Sequence, residues 1–320
     1  MKIHRETFHL KKAENISYLY FPIAGEAGLK SSFTPNLGGD AKIDQNTFLL
    51  EPVSAENLVN NRNSRNFWCN VKGIGSWSLT GHSAEELSKK FTEMQDDSEV
   101  TAGFMWQKTT RESKKYQLRG EILSFIPVDK NVEIMLVTIT NTGRMAQTVT
   151  PTAAIPLYGR SADNIRDHRH VTSLLHRIET TDTGVLVTPT LSFDERGHQV
   201  NHMTYYCVGW SGNGEKPVDF YPTAEDFVGE GGNFERPYAI VKNAEGVKAG
   251  TRIEGLEAVG GLHFSEVTLE PEEECSYLIF TGITEDIQEI RNLSKTYTTR
   301  EMVLEELEKT KAYWQEKVNV

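Results

Sequence analysis

Short, largely apolar segments recur along most of this 320-residue chain, with turn-forming residues between them. Many of these segments are rich in Val, Ile, Thr, Tyr, Phe and Trp, which suit a pleated and half-buried surface. Because few helical patterns lie between them, this spacing favours a large antiparallel β-sandwich over alternating strands and helices. We predict strands at residues 16–23, 47–53, 66–71, 100–108, 117–128, 132–140, 148–158, 185–193, 203–210, 262–269 and 275–282.

One predicted strand, residues 132–140, carries apolar side chains on both faces. Such a pattern is typical of a central strand that is covered on both sides. Asn141-Thr142-Gly143 and Asp182-Thr183-Gly184 have the composition of tight turns. Ser83 and Glu86 have the spacing of a helix-capping box, which predicts a short helix within residues 83–97. The chain is therefore expected to be all-β until near its C-terminus.

The character of the sequence changes after Thr284, where residues 285–297 and 299–318 both have helical patterns. Thr298 and Glu301 have capping-box spacing at the start of the second helix. Its apolar residues then recur at intervals that keep them on one stripe of the helix, namely Leu304, Leu307, Trp314 and Val318. This stripe needs a surface to cover, so the helix either packs back on the sheet or leads into a further domain.

Composition excludes several classes of function. With 34 Lys and Arg against 45 Asp and Glu, the net charge of −11 disfavours nucleic acid as a partner. No apolar run reaches the roughly 18 residues needed to span a membrane, and the N-terminus lacks the apolar core of a signal peptide. The three cysteines are far apart and lack CxxC spacing, which favours reduced thiols in a cytoplasmic protein. No nucleotide-binding or serine-hydrolase motif is present in the sequence.

The densest polar segment is residues 159–177, GRSADNIRDHRHVTSLLHR, here called the Arg–His loop. Arginine donates hydrogen bonds with a fixed geometry to carboxylates, phosphates and sugar hydroxyls. Two interpretations stay open: an Arg–Asp network that docks the loop on another domain, or the lining of a saccharide or phosphate site shared with that domain. No metal is predicted, because Arg166 and Arg169 place positive charge beside His168 and His170. The candidate residues are Arg160, Asp163, Asn164, Arg166, Asp167, Arg169 and His170.

A second polar segment, residues 56–68, combines five asparagines with two arginines and a terminal Phe-Trp pair. Such residues contact sugars through their polar groups and ring faces. They equally suit a long connection with Asx-turns and a core Trp. The candidates here are Arg62, Arg65, Asn66 and Trp68. No spacing singles out a catalytic carboxylate pair, so we predict no catalytic residue in this chain.

Long segments of the chain resemble the N-terminal region of glycoside hydrolase family 94, formerly glycosyltransferase family 36. They include residues 20–44 (YFPIAGEAGLKSSFTPNLGGDAKID), the continuation to Trp68, residues 151–178 (PTAAIPLYGRSADNIRDHRHVTSLLHRI) and residues 189–201 (PTLSFDERGHQVN). The resemblance covers nearly the whole chain. Within the family, the sequence is most similar to the 1,2-β-oligoglucan phosphorylase branch.

The resemblance implies a β super-sandwich over residues 1–284 and a helical linker over residues 285–320. In the family an (α/α)₆ barrel follows, and this barrel is missing from the sequence. The implied reaction is inverting phosphorolysis of a β-linked gluco-oligosaccharide, in which an Asp of the barrel is the acid and inorganic phosphate is the co-substrate. No metal or organic cofactor is implied. We therefore expect a non-catalytic domain, as a fragment or a split subunit, that assists sugar binding, domain packing and homodimerisation and is inactive alone.

Two alternatives remain. The chain could be a free-standing carbohydrate-binding module, with Trp68 or Trp210 as an exposed aromatic platform. It could also be a self-contained enzyme, such as an epimerase-like or lyase-like super-sandwich that uses His170 and Arg166.

Overall fold

A computed structural model of the chain describes residues 7–16, 18–54, 64–194 and 197–318, without the side chains of residues 169, 170, 193 and 194. Strands dominate and two longer helices close the described part. The strands are β1 (Phe8–Lys11), β2 (Phe21–Ala24), β3 (Lys30–Phe33), β4 (Ala41–Asp44), β5 (Thr47–Leu50), β6 (Asn66–Val71), β7 (Gly75–Ser78), β8 (Asp97–Gly103), β9 (Trp106–Ser113), β10 (Leu118–Phe125), β11 (Val132–Asn141), β12 (Gln147–Leu157), β13 (Arg177–Thr180), β14 (Gly184–Val187), β15 (Leu191–Asp194), β16 (Gly197–Val200), β17 (Thr204–Ser211), β18 (Asp219–Thr223), β19 (Arg252–Glu254), β20 (Ala258–His263), β21 (Val267–Leu269) and β22 (Glu274–Thr284). The helices are α1 (Ala84–Ser88), a 3₁₀ helix (Ala162–Arg166), α2 (Arg169–Ser173), α3 (Ala224–Val228), α4 (Tyr238–Lys242), α5 (Ile287–Thr296) and α6 (Arg300–Val318).

Two large antiparallel sheets form the layers of the sandwich. The ten-stranded sheet has the order β1-β8-β9-β10-β11-β22-β17-β14-β13-β19, and the second sheet has the order β18-β20-β12-β6-β7, with β21 paired to β12. Strands β2 to β5 form a small sheet of their own, and β15 and β16 form a two-stranded hairpin. The predicted all-β sandwich followed by C-terminal helices is confirmed.

Strand β11 confirms the prediction of a central strand covered on both sides. It pairs with β10 and β22 in the middle of the larger sheet. Met135, Val137 and Ile139 face the core between the two sheets. Ile134 and Leu136 face a second core on the outer side of the larger sheet. The two apolar faces therefore pack against different layers.

The outer core lies between the larger sheet and helices α5 and α6. Leu293, Val303 and Leu307 are buried there against Phe280 of β22 and Trp210 of β17. Each such side chain contributes about 1.5–3 kcal/mol when it is fully buried. The last helix therefore packs back on the sheet, which is one of the two outcomes left open by the sequence.

Several predicted bounds were wrong. Residues 100–108, 185–193 and 262–269 each contain parts of two strands, and in the first of these Met105, with φ of 59°, reverses the chain between β8 and β9. The short helix predicted within residues 83–97 is confirmed as α1 (Ala84–Ser88). Ser83 does cap it, since its Oγ accepts a hydrogen bond from the Glu86 N–H at 3.1 Å. Phe91, at φ of 64°, then leaves the helical region.

The topology gives the sandwich two distinct ends. Five residues connect β11 to β12, so β12 starts where β11 finishes, at the end where β22 begins. Strand β12 has 11 residues and reaches the other end about 33 Å away, at roughly 3.3 Å per residue. We call the end where β12 finishes the Arg–His end, because the Arg–His loop starts there. None of the described helices is long and apolar enough to cross a membrane.

Candidate functional site

The Arg–His loop begins with residues that are fixed by the backbone of the small sheet. The Tyr158 N–H donates to the Leu49 carbonyl at 2.8 Å, and the Phe48 N–H donates to the Arg160 carbonyl at 3.0 Å. Gly159 between them has φ of 59°, in the left-handed region that favours glycine, and lies against the ring of Tyr205. The chain therefore leaves β12 along one defined path.

Arg160 is the innermost charged group of the loop. Its Nη2 donates to Glu257 Oε1 at 2.7 Å, and its guanidinium lies over the ring of Tyr158 at 5.2 Å. Both partners of this ion pair are largely buried. The sequence did not identify Glu257 as the partner, because 97 residues separate it from Arg160. The pairing of Ala258 with Leu157 brings Glu257 to the start of the loop.

His176 closes the inner side of the loop and is fully buried. Its Nδ1 lies 3.2 Å from the Leu256 carbonyl oxygen. Burial, reinforced by the positive charge of Arg160, lowers the pKa of His176 to about 3. The imidazole is therefore neutral at physiological pH and cannot supply a proton there. It shares a cavity of about 10 Å³, roughly the space of one water molecule, with Arg160 and Asn164.

The outer rim of the loop carries the groups that can meet a ligand or another domain. Asp163, Arg166 and Asp167 are exposed. Asn164 is buried between them, and its Nδ2 donates to Asp167 Oδ2 at 2.7 Å. The Ser161 hydroxyl caps the 3₁₀ helix that carries these residues. The predicted residues thus divide into an inner group and an outer rim.

Two further candidates of the loop, Arg169 and His170, lie on α2, and their side chains are outside the described part of the chain. Val171 and Leu174, which follow them, are exposed apolar side chains. This side of the loop therefore places apolar surface close in sequence to the exposed charges of Arg166 and Asp167. Such a combination is common where two protein surfaces meet.

The second predicted segment lies mostly inside the fold. Arg62 falls outside the described residues. Arg65 is completely buried, and its Nε and Nη2 donate to the two oxygens of Glu133 at 2.5 and 2.8 Å. Its guanidinium also stacks on the Phe33 ring at 4.1 Å. Arg65 thus holds the small sheet against the larger one, a role for which the sequence shows no local signal.

Asn66 and Trp68, the other candidates of this segment, are buried in β6. Asn66 Oδ1 accepts hydrogen bonds from the hydroxyls of Ser78 and Thr80 at 2.8 and 2.9 Å. Trp68 is 1% exposed and packs in a cluster with Tyr221. Their proposed roles in sugar contact or domain contact stay predictions. Both side chains are buried in this structure, so such a contact would need them to become exposed.

The aromatic platform proposed for a carbohydrate-binding module is wrong as stated. Trp68 is 1% exposed and Trp210 is 3% exposed. Trp210 stacks on Phe280 at 4.7 Å, and its Nε1 donates to the Tyr297 carbonyl at 2.9 Å. Helices α3 and α4 cover Trp68, and helices α5 and α6 cover Trp210. Burial of both rings removes the specific feature that motivated this alternative.

The described part of the second predicted segment lies near the same end of the sandwich. Strand β6 pairs antiparallel with β12, with Asn66 opposite Ala154, so β6 starts near the Arg–His end. Helix α6 also finishes there. Lys317 forms an ion pair with Glu26, whose N–H donates to the Val128 carbonyl at 2.7 Å, just before β11 starts. This end therefore gathers the Arg–His loop, the start of β6 and the finish of the last described helix.

Among the described side chains, no group of three or more His, Cys, Asp or Glu residues is arranged to hold a metal ion. Burial moves the pKa of His176 away from neutrality. The described part of this end offers positioned hydrogen-bond donors and acceptors.

Comparison with known families gives one match, and it covers most of the chain. Residues 50–300 match the model described as "Glycosyl hydrolase 94, supersandwich domain". Comparison with curated proteins gave no match.

Alignments with solved structures have low identity and cover most of this chain. A protein described as an aldose 1-epimerase of Escherichia coli K12 aligns over 83% of this chain and 99% of its own, with 9% identity and a TM-score of 0.44. A bacterial glucoamylase complexed with acarbose aligns over 94% of this chain, with 9% identity and a TM-score of 0.48, and this chain spans 40% of its length. A protein described as a kojibiose phosphorylase from the human microbiome aligns over 91% of this chain, with 10% identity and a TM-score of 0.35, and this chain spans 28% of its length.

Proposed function

The chain belongs to the glycosyl hydrolase 94 supersandwich-domain family, and from this premise we propose that it is the non-catalytic N-terminal domain of an inverting phosphorylase. The proposed substrate is a β-linked gluco-oligosaccharide, and the proposed branch is that of the 1,2-β-oligoglucan phosphorylases. The carrying observation is that the matched family model is the supersandwich domain and extends over residues 50–300. The reaction itself is assigned to a helical barrel, in the same polypeptide or in a separate subunit.

The geometry of the Arg–His end supports this division of labour. Helix α6 runs from the opposite end and finishes beside Glu26 at the Arg–His end. A barrel that follows α6 in the polypeptide would therefore start close to the Arg–His loop. Arg160 is held by Glu257 inside the fold, whereas Asp163, Arg166 and Asp167 point outward from the same loop. We assign these rim residues to contact with the barrel or its sugar.

The proposal includes no catalytic residue, metal or organic cofactor in this chain. Inorganic phosphate is the co-substrate of the complete enzyme. A homodimer and a cytoplasmic setting are parts of the same proposal. The cytoplasmic setting is supported by the three free thiols, Cys69, Cys207 and Cys275. Burial raises the pKa of the Cys207 thiol to about 12, which keeps this thiol protonated and unreactive.

An assay of phosphorolysis tests the proposal. The isolated chain, given phosphate and sophoro-oligosaccharides, is expected to release no sugar phosphate, whereas the chain together with its barrel is expected to release it. In the complete enzyme, Arg166→Ala should lower turnover about tenfold, the loss of one or two charge-assisted hydrogen bonds. Arg144→Ala, an exposed arginine in the β11–β12 turn at the opposite end, is the matched control. Robust turnover by the isolated chain would refute the proposal.

A further inference from the structure

A large cleft lies at the end of the sandwich opposite to the Arg–His loop. Its volume is about 810 Å³, within the 300–1,000 Å³ that is usual for small-molecule sites. Three connections and one strand end line it: the turn after β17, the β20–β21 connection, the α5–α6 connection and the start of β22. About 33 Å of strand separates it from the Arg–His end. A barrel at that end would leave this cleft open.

The walls of the cleft are held rigidly. The Gly212 N–H donates to the Ser276 carbonyl at 2.7 Å, which joins the turn after β17 to β22. The Ser211 hydroxyl accepts from the Glu215 N–H at 3.0 Å within that turn. Below them, the rings of Phe264 and Tyr277 pack at 4.7 Å and close the interior of the sandwich. Polar groups in these walls therefore have fixed positions before any ligand arrives, which lowers the cost of binding.

The charges of the cleft disfavour anions. Its lining carries five carboxylates and two cations, and both cations are already paired. Arg300 forms an ion pair with Glu274, and Lys216 forms one with Asp182 outside the lining. A phosphate or nucleotide would therefore meet an excess of negative charge.

Most of these carboxylates are also engaged, which disfavours a small cation. Glu266 pairs with Lys72 at 3.1 Å, and Glu273 Oε2 accepts from the Glu270 N–H at 2.8 Å. Its own backbone N–H and then the Thr299 hydroxyl donate hydrogen bonds to the Glu301 carboxylate, and these lower the pKa of Glu301. A carboxylate offers about four lone-pair positions, so each can still accept a hydrogen bond from a neutral ligand.

Hydroxyl groups and one ion pair complete the lining. Ser265, Thr298 and Thr299 add side-chain hydroxyls to the walls. The paired Arg300 and Glu274 present a donor and an acceptor side by side, which suits two neighbouring hydroxyls of a sugar ring.

From these features we propose that the cleft between the turn after β17, the start of β22 and the start of α6 is a second, non-catalytic binding site for a neutral oligosaccharide. This site is independent of the Arg–His end and goes beyond the proposed function. It would hold a glucan chain on the enzyme at a distance from the reaction centre.

Calorimetric titration of the 320-residue chain with cellotetraose and sophorotetraose tests this site. We expect measurable binding of at least one tetrasaccharide, and Arg300→Gln should weaken it about tenfold, since a charged hydrogen bond to the sugar is lost. Glu274→Gln should weaken it less, because the amide retains one acceptor. The matched controls are Arg252→Gln and Glu179→Gln, which break an exposed ion pair outside the cleft, and thermal unfolding checks that all four variants fold.

Several outcomes would overturn the inference. Equal affinity of Arg300→Gln and wild type would do so, as would binding of spermidine in the absence of tetrasaccharide binding, which would indicate a cation site. Loss of tetrasaccharide binding in Arg166→Ala with full binding in Arg300→Gln would assign the sugar to the Arg–His end instead. That last result would contradict the second site while supporting the proposed function, so the two ideas fail separately.

Discussion

Arg65 and Glu133 show how a single buried ion pair can hold two sheets together. Arg65 is fully buried and Glu133 is 1% exposed. Besides the carboxylate, the Arg65 guanidinium reaches the Asp40 carbonyl at 3.2 Å in the small sheet. The Ser31 hydroxyl donates to Glu133 Oε2 at 2.7 Å. Every charge-bearing atom of this pair thus has a partner inside the protein, the condition under which a buried pair is tolerated.

Arg65→Met is predicted to destabilise the fold by about 3–5 kcal/mol, because it leaves Glu133 buried without its counter-charge. Urea unfolding measures the change in the free energy of unfolding. Lys72→Met is the matched control, since the Lys72–Glu266 pair is exposed and should cost less than about 1 kcal/mol. Equal effects of the two substitutions would show that Arg65 does not hold the sheets together.

His176 gives the fold a predictable dependence on pH. Its pKa is about 3 in the folded chain and about 6.5 when unfolded. Between these values the unfolded chain binds the extra proton, so stability rises with pH from about 3 to 6.5 and falls as the solution is acidified. From pH 6.5 to pH 5, wild type should lose about 1.5 kcal/mol more than His176→Asn. Urea midpoints at the two pH values measure this, and parallel curves for both proteins would contradict the buried, neutral histidine.

At the scale of elements, the Arg–His loop depends on Glu257. Glu257→Gln is predicted to loosen the loop, because Arg160 then keeps a neutral partner in place of a carboxylate. Hydrogen exchange of backbone amides in residues 159–168 should become faster. Glu254→Gln is the control, since Glu254 is exposed and lies 3.6 Å from Arg177. Unchanged exchange in Glu257→Gln would show that the loop holds itself by its backbone bonds alone.

Helices α5 and α6 are expected to fold together with the sheets, because they cover the outer core. Leu307 is 3% exposed, so Leu307→Ala should cost about 2–5 kcal/mol. Met302, five residues earlier on the same helix, is exposed, and Met302→Ala should cost less than about 0.5 kcal/mol. Thermal unfolding by circular dichroism measures both. A Leu307→Ala protein as stable as Met302→Ala would mean that the helix only rests on the sheet.

The same helix illustrates what a sequence pattern can and cannot predict. The helical period and the apolar content of residues 299–318 predict a helix with one covered face, and α6 spans Arg300–Val318. The predicted stripe is only partly correct, because Val303, Leu307 and Thr310 are the buried residues and Val318 is exposed. A stripe defined from large apolar residues alone omits Thr310, whose burial depends on the surface of the sheet. The helical repeat can be read from neighbouring residues. The sheet surface that covers the helix is formed by residues distant in the sequence and cannot be read in this way.

At the scale of the whole molecule, the alternation of strands and turns predicts the architecture well. It does not predict which strands become neighbours, and the candidate site depends on those neighbours. Glu257 reaches Arg160 because β20 pairs with β12, and Arg65 reaches Glu133 across two sheets. Trp68 looks like a surface aromatic in an Asn- and Arg-rich segment, yet α3 and α4 cover it. Local chemistry indicates which residues are polar or aromatic, whereas the pairing of distant strands decides which of them are accessible.

We propose that the Arg–His end of this sandwich faces a catalytic helical barrel. Hydrogen–deuterium exchange of the chain alone, and of the same chain joined to or mixed with its barrel, tests this arrangement. We expect new protection of backbone amides in the Arg–His loop, residues 159–173, and unchanged exchange around the opposite cleft, residues 211–216 and 264–267. Protection confined to the cleft, with the Arg–His loop unaffected, would contradict it.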